Sequence, residues 1–295
     1  MPQGKIIKTA STLYTVRPLE GGEDCLCRPR GRFRKAGTVP LAGDNVLFES
    51  RADGMGSLTE ILPRRNALVR PPVANVDRLI IVVSEAPPVT SLLMIDSLTA
   101  LAAFQDIEPV ICINKTDLSS GEALKALYAP LGYTVIPVSA ADGTGLNELA
   151  AKMQGAFCVL TGNSGVGKSS IMNRLYPDFE ARTGELSARI GRGKQTTRHV
   201  ELVETAGGGF VADTPGYSSF DAIEMEMTDV QKLPYCFPEF EAYMGACRYS
   251  DCAHVRDDGC AIRQAVAEGR IAASRHDSYV RLYERVKTLK AWEKE

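Results

Sequence analysis

The chain has 295 residues, 44% of them hydrophobic and 24% charged, with a net charge of −2. That length suits two or three domains with real cores, and the charge excludes a molecule that is basic throughout. No apolar run approaches the roughly 20 residues needed to cross a bilayer, and Met1-Pro2-Gln3-Gly4-Lys5 lacks the apolar stretch of a signal peptide, so a cytoplasmic protein with no membrane contact is expected.

Charge is unevenly spread. Residues 1–68 carry 11 Lys and Arg against 7 Asp and Glu, which leaves six net negative charges on the rest. A basic module beside an acidic remainder points to localised contact with a polyanion; a merely solvated face is the plain alternative. The module reads as short strands, KIIKTAS, LYTVRPL, EDCLCRPRGRFRK, DNVLFESR and GSLTEILPR, with turn signals at Gly21-Gly22, Ala42-Gly43-Asp44 and Asp53-Gly54. This is the pattern of a small antiparallel barrel, which as an RNA platform would be of OB type. Arg28, Arg30, Arg32, Arg34 and Lys35 surround Phe33. The cations suit phosphates, while Phe33 either stacks on a base or, the favoured fate, packs inward. Arg70-Pro71-Pro72 reads as a linker, since consecutive prolines resist helix and strand.

From about residue 75 to 220 continuous apolar strands alternate with helical stretches. The expected strands are Leu79–Ser84, Val110–Asn114, Thr134–Ser139, Phe157–Thr161, His199–Thr205 and Phe210–Asp213, and the intervening amphipathic runs include MIDSLTALAAF, EALKALYAPL and LNELAAKM. Together they predict an α/β, doubly wound, mainly parallel sheet. Cys112 and Cys158 fall inside such strands and read as buried small hydrophobes.

Asn114-Lys115-Thr116-Asp117 closes the strand PVICI. A carboxylate at Asp117 accepts from guanine N1–H and the N2 amino group together, whereas adenine offers an acceptor and no amino group there. A buried carboxylate left unpaired is costly, so this loop selects guanine. The Lys115 stem can lie on the purine face and Asn114 can tie the loop to a phosphate site. Ser139-Ala140 ends the next strand, and its backbone N–H groups suit guanine O6.

Gly162-Asn163-Ser164-Gly165-Val166-Gly167-Lys168-Ser169 is a P-loop, with Ser170 following. Its glycines let successive N–H groups face phosphate oxygens. Lys168 brings a cation to the β/γ-phosphates and the Ser169 hydroxyl can ligate Mg²⁺. The strand before it and the helix Lys168–Leu175 after it are the required context. Gly191–His199 is a polar loop containing Gln195, Thr196 and Thr197, a good first switch; either threonine could reach Mg²⁺, with Thr197 favoured. Asp213-Thr214-Pro215-Gly216 places Asp213 to hold the Mg²⁺ shell through water and Gly216 to offer an N–H to a γ-phosphate.

Cys247-x4-Cys252-x-His254-x5-Cys260 gathers three thiolates and an imidazole within 14 residues. That soft set of four suits a structural tetrahedral Zn²⁺, with Cys236 as an alternative ligand outside the tight cluster. Little apolar sequence lies nearby, so metal is expected to contribute much of this module's folding energy. A charged terminal helix is expected over Ser278–Glu295.

The base motif precedes the P-loop, the reverse of the usual GTPase order, and a circular permutation explains it. In this the chain resembles the circularly permuted, ribosome small-subunit-dependent GTPase A (RsgA/YjeQ-like) family over nearly its whole length. The resemblance implies an OB-fold RNA-binding barrel over residues 1–68, a permuted GTPase domain over 69–222 and a zinc-binding α-helical module over 223–295. It also implies GTP/GDP with Mg²⁺, one structural zinc, and GTP hydrolysis stimulated by the small ribosomal subunit and its rRNA during late maturation of that particle. A monomer is expected. The family has a His directly before the paired threonines, proposed to assist catalysis; Gln195 stands there in this chain and can position water without acting as a base. Lys168, Gln195 and Thr197 are therefore the expected catalytic residues. A GTP-dependent ribosome-binding switch with little hydrolysis is the alternative, favoured by Gln195 and by Tyr217, which follows DTPG where many GTPases carry Gln.

Overall fold

A computed structural model describes residues 1–31, 33, 37–50, 55–177, 199–205, 207–212 and 227–292. In chain order the strands are β1 (Gln3–Ala10), β2 (Leu13–Pro18), β3 (Cys25–Pro29), β4 (Asn45–Glu49), β5 (Met55–Ile61), β6 (Ala67–Leu68), β7 (Val73–Ala74), β8 (Arg78–Val83), β9 (Glu108–Ile113), β10 (Thr134–Pro137), β11 (Phe157–Thr161), β12 (His199–Glu204) and β13 (Phe210–Ala212). The helices among these residues are α1 (Leu92–Phe104), α2 (Glu122–Tyr128), α3 (Leu146–Met153), α4 (Lys168–Leu175), α5 (Ala261–Ala267) and α6 (Ala273–Trp292). The chain divides into two units. One is Met1–Leu79, Asn147–Leu160 and Ser169–Gly216; the other is Ile80–Leu146, Thr161–Lys168 and Tyr217–Glu295.

In the first unit, apolar residues at alternate positions turn one face of each short strand inward. Ile6, Tyr14, Val16, Cys25, Cys27, Val46, Phe48 and Leu58 form one core, and burying a large apolar side chain contributes about 1.5–3 kcal/mol. Antiparallel pairs β1–β2, β2–β3, β4–β5 and β1–β4, with the parallel pair β3–β5, close a five-stranded barrel, the OB arrangement. Phe33 belongs to this core, so it packs inward and does not stack on a base. Arg70-Pro71-Pro72 is not an open linker: it lies in the turn of a hairpin in which β6 pairs with β7. Prolines there interrupt no ladder bond.

The same unit continues into a mixed sheet. β11 pairs parallel with β13, β13 antiparallel with β12, and β12 antiparallel with barrel strand β1. Side chains reinforce the last pairing, through Lys8–Glu201 at 2.7 Å and Val200 N–H to Thr9 Oγ1 at 3.1 Å.

In the second unit β9 and β10 run parallel, Thr134 opposite Val110 through Pro137 opposite Ile113, with β8 on the other side of β9. Helix α1 differs from the amphipathic helix expected: Met94 through Ala102 are all buried. A helix buried on every side needs partners all round, and α6 and the turn Leu233–Cys236 pack against it. The carboxy-terminal residues also have more core than expected. Phe237, Phe240 and Tyr279 cluster with ring centroids 5.0–5.4 Å apart, and α6 begins at Ala273 rather than Ser278.

A buried ion cluster joins α6 to α1. Arg275, 1% exposed, donates from Nη1 to Asp96 Oδ1 at 2.6 Å and from Nε to Glu239 Oε1 at 2.6 Å. The Tyr128 hydroxyl donates to the same Asp96 oxygen at 2.6 Å, and the guanidinium lies 4.8 Å from the Phe237 ring centroid. Burial alone would pull the Arg275 pKa down; hydrogen bonding to Glu239 and attraction to Asp96 outweigh it and hold the group above its ordinary range.

Candidate functional site

Strand β11 delivers the chain to the P-loop and α4 leads it away. Gly162 has φ +136°, and a Cβ there would stand 2.1 Å from the Val82 carbonyl oxygen. Gly167 has φ +99°, and a Cβ there would stand 2.2 Å from Asn114 Nδ2. Both positions demand glycine twice over, by backbone conformation and by close approach. Lys168 Nζ donates to the carbonyls of Gly162 at 2.6 Å and Asn163 at 2.9 Å, which holds the ammonium over the loop. Val166 is buried, whereas Ser164, Gly165, Ser169 and Ser170 are exposed.

The base motif reaches this loop directly. Asn114 is buried; its Nδ2 donates to the Val166 carbonyl at 2.8 Å and its Oδ1 accepts from Ala140 N–H at 3.1 Å. One side chain thus stitches together the P-loop, the end of β9 and the segment after β10. Asp117 is exposed and accepts a hydrogen bond from the Ser139 hydroxyl at 2.8 Å. Ser139 N–H donates to the Thr144 carbonyl at 2.9 Å. The two amides expected to face guanine O6 are therefore engaged within the protein, and Ser139 and Ala140 brace Asp117 and Asn114. Lys115 adopts φ +66° and its Nζ donates to the Pro87 carbonyl at 2.7 Å.

Sequence reasoning missed Glu85. Its carboxylate accepts from Ser119 Oγ, Gly121 N–H and Leu124 N–H. Partners 34 to 39 residues away leave no local pattern to read. Gln195, Thr196, Thr197, Asp213 and Gly216 lie outside the described residues, as do Arg32, Arg34 and Lys35. Of the barrel cations that are described, Arg28 is exposed on β3, and Arg30 pairs with Glu49 at 2.6 Å.

Cys247, Cys252, His254 and Cys260 bring their donor atoms within 4.8 Å of one another. His254 Nδ1 lies 3.5 Å from the sulfurs of Cys247 and Cys260, which are 4.0 Å apart. Tetrahedral zinc with bonds of about 2.3 Å to sulfur and about 2.0 Å to nitrogen requires edges of about 3.5 Å and about 3.8 Å. The donor set fits that ion. Backbone N–H groups of Ala261 and Arg263 point at the sulfurs of Cys247 and Cys260, and His276 bonds the His254 carbonyl, the kind of outer support that orients ligands. Burial lowers the His254 pKa and so favours the neutral, ligating imidazole. Cys236 stands apart, its Sγ on the Lys232 carbonyl, and is not an alternative ligand.

No helix among the described residues is long and apolar enough to cross a membrane. Residues 61–223 match the RsgA GTPase family and residues 3–58 the RsgA N-terminal domain. A "small ribosomal subunit biogenesis GTPase RsgA" from Geobacillus kaustophilus (strain HTA426) is 43% identical over 296 residues, covering 98% of this chain and 99% of the relative. One of the same name from Bacillus anthracis is 40% identical with the same coverage. Among solved structures, YjeQ from Thermotoga maritima superposes with a TM-score of 0.83 at 33% identity, covering 97% of this chain and 98% of that one. YloQ, described as a circularly permuted GTPase, gives 0.80 at 36% identity, covering 98% and 96%. A base loop stitched to a P-loop that follows it in the chain, matched in sequence and shape over almost the full length, means that this chain belongs to the RsgA family of GTPases.

Proposed function

We propose that the chain binds GTP between Gly162–Ser169 and Asn114–Asp117 and hydrolyses it during biogenesis of the small ribosomal subunit, the role carried in its relatives' name. The observation that carries the reading is the 2.8 Å bond from Asn114 Nδ2 to the Val166 carbonyl, which brings the base motif and the P-loop together. The P-loop amides and Lys168 bind the phosphates, Asp117 selects guanine, and Ser169 with Thr197 would hold Mg²⁺, which neutralises charge on the β- and γ-phosphate oxygens when bound. Asp213 supports that shell, Gly216 and Thr196 contact the γ-phosphate side, and Gln195 orients the attacking water.

The division of labour follows the three segments: 1–68 binds rRNA through Arg28, Arg30, Arg32, Arg34 and Lys35, 69–222 turns over the nucleotide, and 223–295 is organised by one zinc. The protein works as a cytoplasmic monomer on the small subunit. Single-turnover GTP hydrolysis with and without small subunits, on the native chain and Gln195→Ala, is the test. Stimulation that Gln195→Ala abolishes supports the reading; no stimulation of the native chain favours the slow ribosome-binding switch suggested by Gln195 and Tyr217. Competition with ATP checks the base site, since equal affinity for ATP and GTP contradicts it. Replacing Cys247, Cys252 and Cys260 together by Ser should abolish bound zinc, and undiminished metal content would refute that assignment.

A further inference from the structure

The segment leaving β8, Ser84-Glu85-Ala86-Pro87-Pro88, grips the base loop from two sides. On one side Lys115 Nζ donates to the Pro87 carbonyl at 2.7 Å. On the other, Glu85 Oε2 accepts from Ser119 Oγ at 2.8 Å and Gly121 N–H at 3.2 Å, and Glu85 Oε1 accepts from Leu124 N–H at 2.9 Å. Asp117 lies between these anchors. The same segment touches the P-loop, since a Cβ on Gly165 would stand 3.2 Å from Pro88 Cγ.

The need for Glu85 is local and physical. Helix α2 begins after Gly121, which has φ +72° and no side chain with which to cap the helix. The first N–H groups of a helix have no partner within it. Ser120 Oγ accepts from Glu122 N–H at 3.4 Å; Glu85 supplies from outside the acceptors for Gly121 and Leu124, and a carboxylate is favoured at this end of a helix. Three donors converge on its two oxygens, so an amide, with one oxygen and an NH₂ group that cannot accept, does not replace it.

We propose that Glu85 is a positioning residue for guanine selection: by capping α2 and holding Ser119, it sets Asp117 where one carboxylate meets N1–H and the N2 amino group together. The proposal rests on reading Asn114–Asp117 as the base site. Its signature is discrimination between guanine and hypoxanthine, because inosine nucleotides lack the N2 amino group and use only part of the Asp117 carboxylate.

The test is calorimetric titration of the full chain with GDP and IDP. In Glu85→Ala and Glu85→Gln, GDP affinity is expected to fall about tenfold, equivalent to about 1.4 kcal/mol, and IDP affinity only about threefold, so the preference for GDP shrinks. KM for GTP should rise by a similar factor, with a much smaller change in kcat. General loosening of the fold would weaken GDP and IDP equally, and that result overturns the proposal. Asp117→Asn is the control and should transfer preference to XDP. If it does so while Glu85→Ala leaves the GDP-to-IDP ratio within twofold of native, positioning by Glu85 is wrong and the base site stands. If Asp117→Asn leaves the preference unchanged, the base-site reading fails and this proposal with it. Should Glu85→Ala not fold, Ser119→Ala removes one of the three donors. It should narrow the ratio about twofold, and an unaltered ratio overturns the proposal.

Discussion

The P-loop corner and the carboxy-terminal module solve one problem, the joining of residues distant in sequence, by different means. The corner uses separate hydrogen bonds to backbone, neutral from Asn114 to Val166 and charged from Lys168 to Gly162 and Asn163, beside exposed groups such as Asp117 and Ser164. The module uses a buried guanidinium between two carboxylates and under an aromatic ring. A hydrogen bond contributes about 1 kcal/mol net, or about 1.5–3 kcal/mol with a charged partner, and each of these can be broken without stranding the rest. A buried ion cluster is all or nothing, because removing one partner strands the others. The lesson is that separable contacts hold the corner, whereas one interdependent cluster holds the module.

The sharpest way to break that contrast is Arg275→Ala, which strands Asp96 and Glu239. It should lower unfolding stability by roughly 3–5 kcal/mol, read as a reduced denaturant midpoint, and a loss below about 1 kcal/mol would mean the cluster holds nothing together. Gly167→Ala comes next. The strain of a left-handed backbone, about 1–3 kcal/mol, and the displaced Asn114 contact should weaken GDP binding by roughly thirtyfold, measured by fluorescence titration. Its effect on global stability should be smaller than that of Arg275→Ala. Removing bound zinc should then be local: hydrogen exchange is expected to lose protection over residues 247–260 while α6 keeps it, since Tyr279 and its neighbours remain packed. Loss of protection along all of α6 would show that metal, not the aromatic core, secures the module. The smallest effect is Arg30→Ala, which breaks a half-exposed pair with Glu49. It should change stability by less than about 1 kcal/mol in a denaturant titration.

The legible parts of the sequence were those fixed by near neighbours. β11 (Phe157–Thr161), α3 (Leu146–Met153) and α4 (Lys168–Leu175) fall where expected, because glycines and short apolar runs punctuate them. The cluster of Cys247, Cys252, His254 and Cys260 was legible because all four sit in one short stretch. Illegible features depend on partners far along the chain. Arg275 reads as a surface cation of a charged helix until Asp96 and Glu239 are placed beside it, and Glu85 reads as an ordinary loop carboxylate. Helix α1 looked amphipathic because Asp96, Ser97 and Thr99 interrupt its apolar residues; each is buried, with Asp96 neutralised by Arg275 and the hydroxyls bonded to the helix's own carbonyls. The paired prolines suggested a break where the chain merely reverses direction.

The pairing of β1 with β12 has a consequence for solubility. A strand at the margin of a sheet presents unpaired amides and carbonyls that recruit other chains. In the first unit β12 would be such a margin, and Lys8, Thr9 and Ala10 cover it. A fragment beginning at residue 69 would bare that row, His199, Val200 and Glu201, and should self-associate where the full chain stays dispersed. The barrel therefore shields the strand it pairs with, apart from any ligand it binds.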